Sequence, residues 1–212
     1  MERFRISSIE PNLLTDEIIR FVADSERFMP HFHIPLQSGS DRILRLMRRR
    51  YQRDTYTSRV GLIKQAMPGC CIGVDVIVGF PGETDEDFEE TYRYLNELDI
   101  SYLHVFTYSE RDNTLAVTMP DAVPQHVRAE RSARLHMLSD KKRRYFYETQ
   151  VGKPFRVLFE NDIENNRMHG FTENYIRVAA GYDPLAVNDI RQVTLTGVNE
   201  ACVGEVEETA LA

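Results

Sequence analysis

The chain has 212 residues, 42% of them hydrophobic and 28% charged, values ordinary for a globular protein. Against 33 acids stand 26 bases, a formal net charge of -7, which argues against a chain that coats nucleic acid by bulk charge but leaves room for a local basic patch. No run approaches about 18 consecutive apolar residues, and 11 Gly and 9 Pro are ordinary counts, so transmembrane, collagen-like and disordered readings fail.

In chain order, residues 4–9 read as a strand. Thr15 is placed as an N-cap with Asp16 and Glu17 in the first turn of a helix that ends near Asp24 and buries Ile18, Ile19 and Val22. A strand over 31–36 precedes a helix opened by Ser40 and Asp41, carrying Ile43, Leu44 and Met47. Another helix runs from Asp54 through Val60 and Ile63 until Pro68-Gly69 stops it. Residues 70–80 are the most strand-like, because Ile72, Val74, Val76, Ile77 and Val78 are β-branched and nearly continuous. That pattern predicts a parallel strand covered on both faces at the centre of a sheet. Pro81-Gly82 turns into a helix with a capping-box-like start at Thr84 to Asp87 and an apolar face of Phe88, Tyr92, Leu95 and Leu98. A strand over 100–108 follows. Four strands alternating with helices predict one parallel sheet, with the loops after the strand C-termini holding the site.

After Pro124 a long helix is predicted over 125–150, with Arg128, Arg131, Arg134 and the run Lys141-Lys142-Arg143-Arg144 outnumbering its acids. It reads either as a solvated face or as a contact surface. Beyond it, strands over 155–159, 170–178, 192–196 and 203–206, separated by Asn165-Asn166 and Asp183-Pro184, predict a small all-β module, expected as an open barrel. About 60 residues make a small core, so the module should lean on the preceding domain. The division expected is 1–149 and 150–212. Only four βα steps and an unprotected apolar first strand lead to the expectation that an N-terminal portion precedes this chain. The first residues show neither a signal nor a transit pattern, which makes the cytoplasm the default and no membrane partner expected. Cys70 and Cys71 are adjacent and Cys202 is distant, a pattern that is neither a disulfide framework nor a metal-ligand spacing, so no metal ligand is assigned.

The loops after the four strands are Ser7-Ser8-Ile9-Glu10-Pro11, His33-Ile34-Pro35-Leu36-Gln37-Ser38-Gly39-Ser40, Val78-Gly79-Phe80-Pro81-Gly82-Glu83-Thr84 and Phe106-Thr107-Tyr108-Ser109-Glu110-Arg111. Together they describe a polar rim around one ligand pocket. The stretches Arg5-Ile6-Ser7-Ser8, His33 to Ser40, Leu46-Met47-Arg48-Arg49-Arg50-Tyr51, Asp75 to Thr84 and Tyr108-Ser109-Glu110-Arg111 resemble the C-terminal part of the methylthiotransferase family of radical S-adenosylmethionine enzymes. The stretches Cys70 to Asp75 and Asp99 to Val105 are most similar to the branch acting on threonylcarbamoyladenosine in tRNA. Siblings act on isopentenyladenosine in tRNA or on a ribosomal-protein aspartate. A rival from another class is a non-catalytic RNA-binding module.

The resemblance implies an α/β fold, the C-terminal part of a radical SAM (β/α) partial TIM barrel, followed by a small all-β TRAM-like barrel. It implies S-adenosylmethionine and [4Fe-4S] clusters as cofactors, a tRNA substrate, an electron donor such as flavodoxin or ferredoxin, and no DNA partner. The implied reaction is cofactor cleavage, hydrogen abstraction from adenosine C2, sulfur insertion and methyl transfer. The CxxxCxxC cluster loop of the family is absent from this sequence, so no catalytic residue is assigned here and the chain alone is expected to be inactive.

The implied cofactor-binding residues are Ser8, Gln37, Ser38, Arg48, Asp75, Ile77, Gly79 and Tyr108. Gln37 and Ser38 would meet the ribose and Arg48 the methionine carboxylate, a surface arginine being the rival reading. Gly79 would let a flat ring approach the backbone. Tyr108 would line the adenine or substrate pocket, or be a core tyrosine, and His33 would pack beneath the site. For RNA the candidates are Lys141, Lys142, Arg143, Arg144, Asn174, Tyr175 and Arg177. Glu205, Glu207 and Glu208 make the β module acidic, so its contact face should be narrow.

Overall fold

The computed structural model describes residues 2–208. Its elements are β1 (Phe4–Ile6), α1 (Asp16–Asp24), β2 (Phe28–His33), α2 (Asp41–Leu46), α3 (Arg53–Ala66), β3 (Cys71–Val78), α4 (Asp85–Glu97) and β4 (Tyr102–Thr107). A single 3-10 turn (Leu115–Thr118) leads to α5 (Gln125–Glu148), then β5 (Pro154–Glu164), β6 (Arg167–Phe171), β7 (Arg177–Gly181), β8 (Ile190–Val198) and β9 (Gly204–Glu208). The first four strands form one parallel sheet in sequence order, so β3 is an interior strand between β2 and β4.

Local chemistry sets the helix starts. Thr15 accepts a hydrogen bond from the Ile18 N–H, and Thr84 and Asp87 satisfy each other's backbone N–H groups in a capping box. Strand β2 has the length of the predicted 31–36 but lies three residues earlier. Ile34 and Leu36 still donate to Gly73 and Asp75 of β3, but Pro35 between them has no N–H to offer, and the regular ladder stops at His33.

Side chains alternate across the sheet. One face, with Phe32, Ile34, Ile72, Val74, Val76 and Val78, packs on the helices around Tyr56, Ile63, Leu95 and Leu135. The opposite face carries Arg5, His31, His33, Cys71, Gly73, Asp75, Tyr102 and His104. Strand β3 is covered on both faces as expected, but only one face is apolar throughout: on the other, Cys71 meets the barrel, Asp75 meets His33 and Ile77 faces a cavity. Helix α5 covers the outer edge of β4, where the buried Ser139 hydroxyl accepts from the Leu103 N–H (2.9 Å) and donates to the Leu103 carbonyl (3.0 Å), standing in for a neighbouring strand.

Strands β5 to β9 form a barrel in the order β5-β6-β7-β9-β8, and β8 pairs back onto β5. It is closed, not open. The predicted strand 170–178 is two antiparallel strands, β6 and β7, because Thr172, Glu173 and Asn174 make a tight turn in which the Thr172 hydroxyl donates to Asn174 Oδ1 and accepts from the Ile176 N–H. The small barrel core of Val157, Phe159, Ile176, Val178 and Leu195 continues into Phe146 and Tyr147 of α5 and Cys71 of β3, so the module does lean on the α/β part. Arg5 fixes the joint: its guanidinium donates to the Thr172 carbonyl (3.0 Å) and lies 4.6 Å from the centre of the Tyr175 ring. Asn174 donates to the Gly69 carbonyl at the end of α3.

Candidate active site

At the C-terminal ends of the parallel strands lies a cavity of about 1000 Å³. Arg45, Leu46 and Arg48 form one wall, Ile77 and Phe80 the floor, and Phe106, Tyr108 and Arg111 the other wall. A ligand there would meet an apolar surface with a few polar groups, the composition usual for cofactor and substrate sites. The Tyr108 hydroxyl is buried without a hydrogen-bond partner, a donor aimed at nothing the chain itself supplies.

Two of the predicted cofactor-binding residues hold left-handed backbone conformations that L side chains rarely adopt, Gln37 (φ 72°) and Arg48 (φ 56°). The Gln37 carbonyl accepts from the Ile77 N–H (2.9 Å), which ties the loop after β2 to the end of β3. Arg48, on the cavity wall, is exposed and has no ion pair among the described residues. Ile77 and Tyr108 line the same space, whereas Ser8 is exposed in the loop after β1.

Other motif residues have structural work instead. Ser38 is buried; its hydroxyl is 3.3 Å from Thr91 Oγ1 and accepts from the Ser40 N–H, so it faces α4 and not a ribose. Gly39 is required there because a Cβ would come within 2.7 Å of the Thr91 Cα. Gly79 (φ +77°) does not receive a flat ring: the space of its missing side chain holds the stem of Arg128, whose Cγ lies 2.4 Å from where a Cβ would sit.

Arg128 is the functional-site residue that the sequence reading placed only in a basic run. It is buried and donates to the Val123 carbonyl (2.7 Å), the Tyr108 carbonyl (2.8 Å) and Glu110 (2.6 Å), clamping the ends of β3 and β4 together. The pairing of a glycine after one strand with a glutamate after the next was the available signal. Glu83 is buried too; it accepts from the Gly79 N–H and pairs with the buried Arg131 at 2.6 Å, while burial pushes its carboxyl above the usual range. Burial also works to raise Asp87, but hydrogen bonds from Arg42, Thr84 and Ser40 hold it well below the ordinary carboxylate range. Glu83 and Asp87 thus brace the floor from behind.

Below the cavity, the inner face of the sheet is lined by ring systems in register. His33 Nε2 lies 2.7 Å from Asp75 Oδ1, the His33 and His104 rings stack at 5.1 Å, and His31 Nε2 is 3.0 Å from the Tyr102 hydroxyl. His31 also contacts Tyr175 at 4.5 Å. Asp75 therefore holds a histidine from the layer beneath the cavity. Burial, with Arg5 and the other two histidines adding to it, pushes the His31 pKa down to about 3.

The residues predicted to meet RNA are largely committed within the chain. Lys142 donates to the Asn96 and Leu98 carbonyls at the end of α4 (3.0 and 2.8 Å), and its burial brings its pKa down to about 8. Arg143 pairs with Asp140, Arg144 donates to the Asn199 and Glu200 carbonyls, and Arg177 pairs with Asp162 at 2.9 Å. Asn174 and Tyr175 lie in the joint between sheet and barrel. Lys141 alone of this set is exposed with no partner among the described residues. The expectation of one RNA face over these seven residues is corrected accordingly: helix capping, ion pairing and domain docking occupy most of them.

The thiols offer no cluster site. Cys70 and Cys71 are buried, the first facing the helical core and the second the barrel, with burial pushing Cys71 up to about 12, and Cys202 is half-buried at the edge of the barrel core. No group of metal-binding side chains occurs among the described residues, and none of the helices there is long and apolar enough to cross a membrane.

Residues 2–95 match the family model described as the Radical SAM superfamily. The threonylcarbamoyladenosine tRNA methylthiotransferase MtaB of Bacillus subtilis is 41% identical over 182 residues, covering 84% of this chain and 40% of that protein. The enzyme of the same name from Aquifex aeolicus is 44% identical over 178 residues, covering 84% and 42%. The tRNA-2-methylthio-N(6)-dimethylallyladenosine synthase of Acidothermus cellulolyticus is 40% identical over 175 residues, covering 80% and 35%. The chain thus spans less than half the length of each of these relatives.

Proposed function

We propose that the chain, similar over most of its length to tRNA methylthiotransferases and matching the radical SAM model over residues 2–95, belongs to the methylthiotransferase family and supplies the cofactor- and nucleoside-facing part of an enzyme acting on threonylcarbamoyladenosine. The observation that carries this reading is the cavity at the strand ends, where the free guanidinium of Arg48, the unpartnered Tyr108 hydroxyl and the apolar surface of Ile77 and Phe80 converge. These groups fit S-adenosylmethionine: Arg48 its carboxylate, Ile77 and Phe80 its adenine, Tyr108 a polar edge. The backbone of Gln37 positions Ile77, and Arg128 holds both strand ends in place. When bound, S-adenosylmethionine supplies the hydrogen-abstracting group and the methyl group. The [4Fe-4S] clusters of the family find no ligands among this chain's cysteines, and no step is assigned here to a cluster. A one-electron donor of the flavodoxin or ferredoxin kind and a cytoplasmic setting belong to the same reading, as does the description of residues 150–212 as a TRAM-like module.

Threonylcarbamoyladenosine is favoured over dimethylallyladenosine as substrate by the first relatives named and by the stretches Cys70 to Asp75 and Asp99 to Val105. Removing the gene from its host and measuring tRNA nucleosides by mass spectrometry tests the choice. Loss of the 2-methylthio form of threonylcarbamoyladenosine is expected. Loss of the dimethylallyl product instead would move the chain to the sibling activity, and no change in either would overturn the reading.

A further inference from the structure

We infer that Arg45 and Arg111, on opposite walls of the cavity, hold the RNA phosphates flanking the target nucleoside, and that the basic run of α5 does not. The inference rests on the reading of the chain as part of a tRNA-modifying enzyme and names the surface that meets the RNA.

In α5, Arg128 and Arg131 are buried in ion pairs, Arg134 pairs with Glu89, Arg143 with Asp140, and Lys142 and Arg144 are spent on backbone carbonyls. Each of these would have to give up a partner to bind a phosphate, and Lys141 is left as a single unpartnered cation of that run among the described residues. Arg49, on the cavity wall, is likewise paired with Glu10 at 3.1 Å. Arg45 and Arg111 are exposed, line the cavity, and have no side-chain hydrogen bond or ion pair among the described residues. In a chain of net charge -7, these two guanidiniums, with that of Arg48 on the same wall already assigned to the cofactor carboxylate, form a local anion site against the overall field.

Their placement matches the geometry of an extruded nucleotide. Arg45 is on α2, which follows β2, and Arg111 lies beyond β4, so the floor formed at the end of β3 sits between them. Along that span Leu46, Phe106 and Leu115 are 36%, 52% and 63% exposed, an apolar and aromatic surface left open beside the two cations. A flipped base carries a flat apolar face between two phosphates, one on each side of its sugar, and nucleic-acid enzymes receive it by stacking the base and neutralising the backbone. Phe106 offers the stacking ring and the two arginines the neutralising charges.

The test is the salt dependence of binding to an anticodon stem-loop RNA, measured by fluorescence anisotropy on the wild-type chain, on Arg45→Gln/Arg111→Gln and on Lys141→Gln/Arg143→Gln. Arg45, Arg111 and Lys141 are exposed and Arg143 is half-buried, and matching thermal melts verify that the variants fold. The first variant is expected to bind about tenfold more weakly at low salt, with the slope of log affinity against log salt reduced by about 1.5 to 2, while the α5 variant stays within about twofold of wild type. The reverse pattern, or an unchanged slope in the cavity variant, would overturn the inference while leaving the functional reading intact. A wild-type chain with no salt-dependent RNA binding would overturn the inference and count against the functional reading as well.

Discussion

His31 shows how one side chain can belong to two parts of the molecule. It sits on the inner face of β2, hydrogen-bonded to Tyr102 of β4 and packed against Tyr175 of the barrel, with Arg5, His33 and His104 as its charged or titratable neighbours. Burial and these neighbours keep it neutral, with its pKa pushed from 6.5 down to about 3. An unfolded chain binds the proton throughout that interval and the folded chain does not, so stability is full above the unfolded value and falls as pH drops through the window. Urea unfolding between about pH 7 and pH 5 should show a loss of up to roughly 1.4 kcal/mol per pH unit from this group. His31→Gln, which cannot charge, should flatten that part of the curve; parallel curves for the two proteins would contradict a buried neutral imidazole. At this scale the sequence was legible where a residue's duty is local. The capping of Thr15 and Thr84 follows from spacing alone, whereas the duties of Ser38, Gly79 and Arg128 depend on partners up to 53 residues away in the chain.

Among the elements, the joint between the sheet and the barrel depends on a few directed contacts. Arg5 of β1 reaches the turn between β6 and β7, where it donates to the Thr172 carbonyl and lies over Tyr175. Arg5→Ala removes a cation–π contact and a charge-assisted hydrogen bond, together on the order of 1 to 3 kcal/mol. Native-state hydrogen exchange should then show the amides of β6 and β7 opening at lower free energy than in wild type, with β3 less affected. Uniform loss of protection in both would mean that the two parts unfold only as one unit. Helix and strand identities were readable here because their apolar periods are strong; their ends were less so. Pro35 keeps β2 from running on to Leu36, and the Thr172 hydroxyl turns what reads as one apolar strand into two, and both effects come from hydrogen-bonding details that periodicity does not contain.

Across the whole molecule, one sheet divides two chemistries. Its helix side is a continuous apolar core; its inner side carries the His33, Asp75 and His104 layer beneath the cavity and the Cys71 and Tyr102 contacts to the barrel. That division was visible in the sequence only as isolated polar residues inside strand patterns, because alternation within a strand does not say which face meets helices and which meets a ligand. The sequence motifs lie at the end of the sheet where the cavity opens, but they mix residues that line it, such as Arg48 and Tyr108, with residues that brace it, such as Ser38 and Glu83. The account depends most on S-adenosylmethionine binding at the strand ends, and hydrogen–deuterium exchange of the chain with and without the cofactor tests this directly. The account predicts slowed exchange confined to the amides of residues 45–49, 76–80 and 106–109; protection absent there, or appearing instead on the barrel, would contradict it.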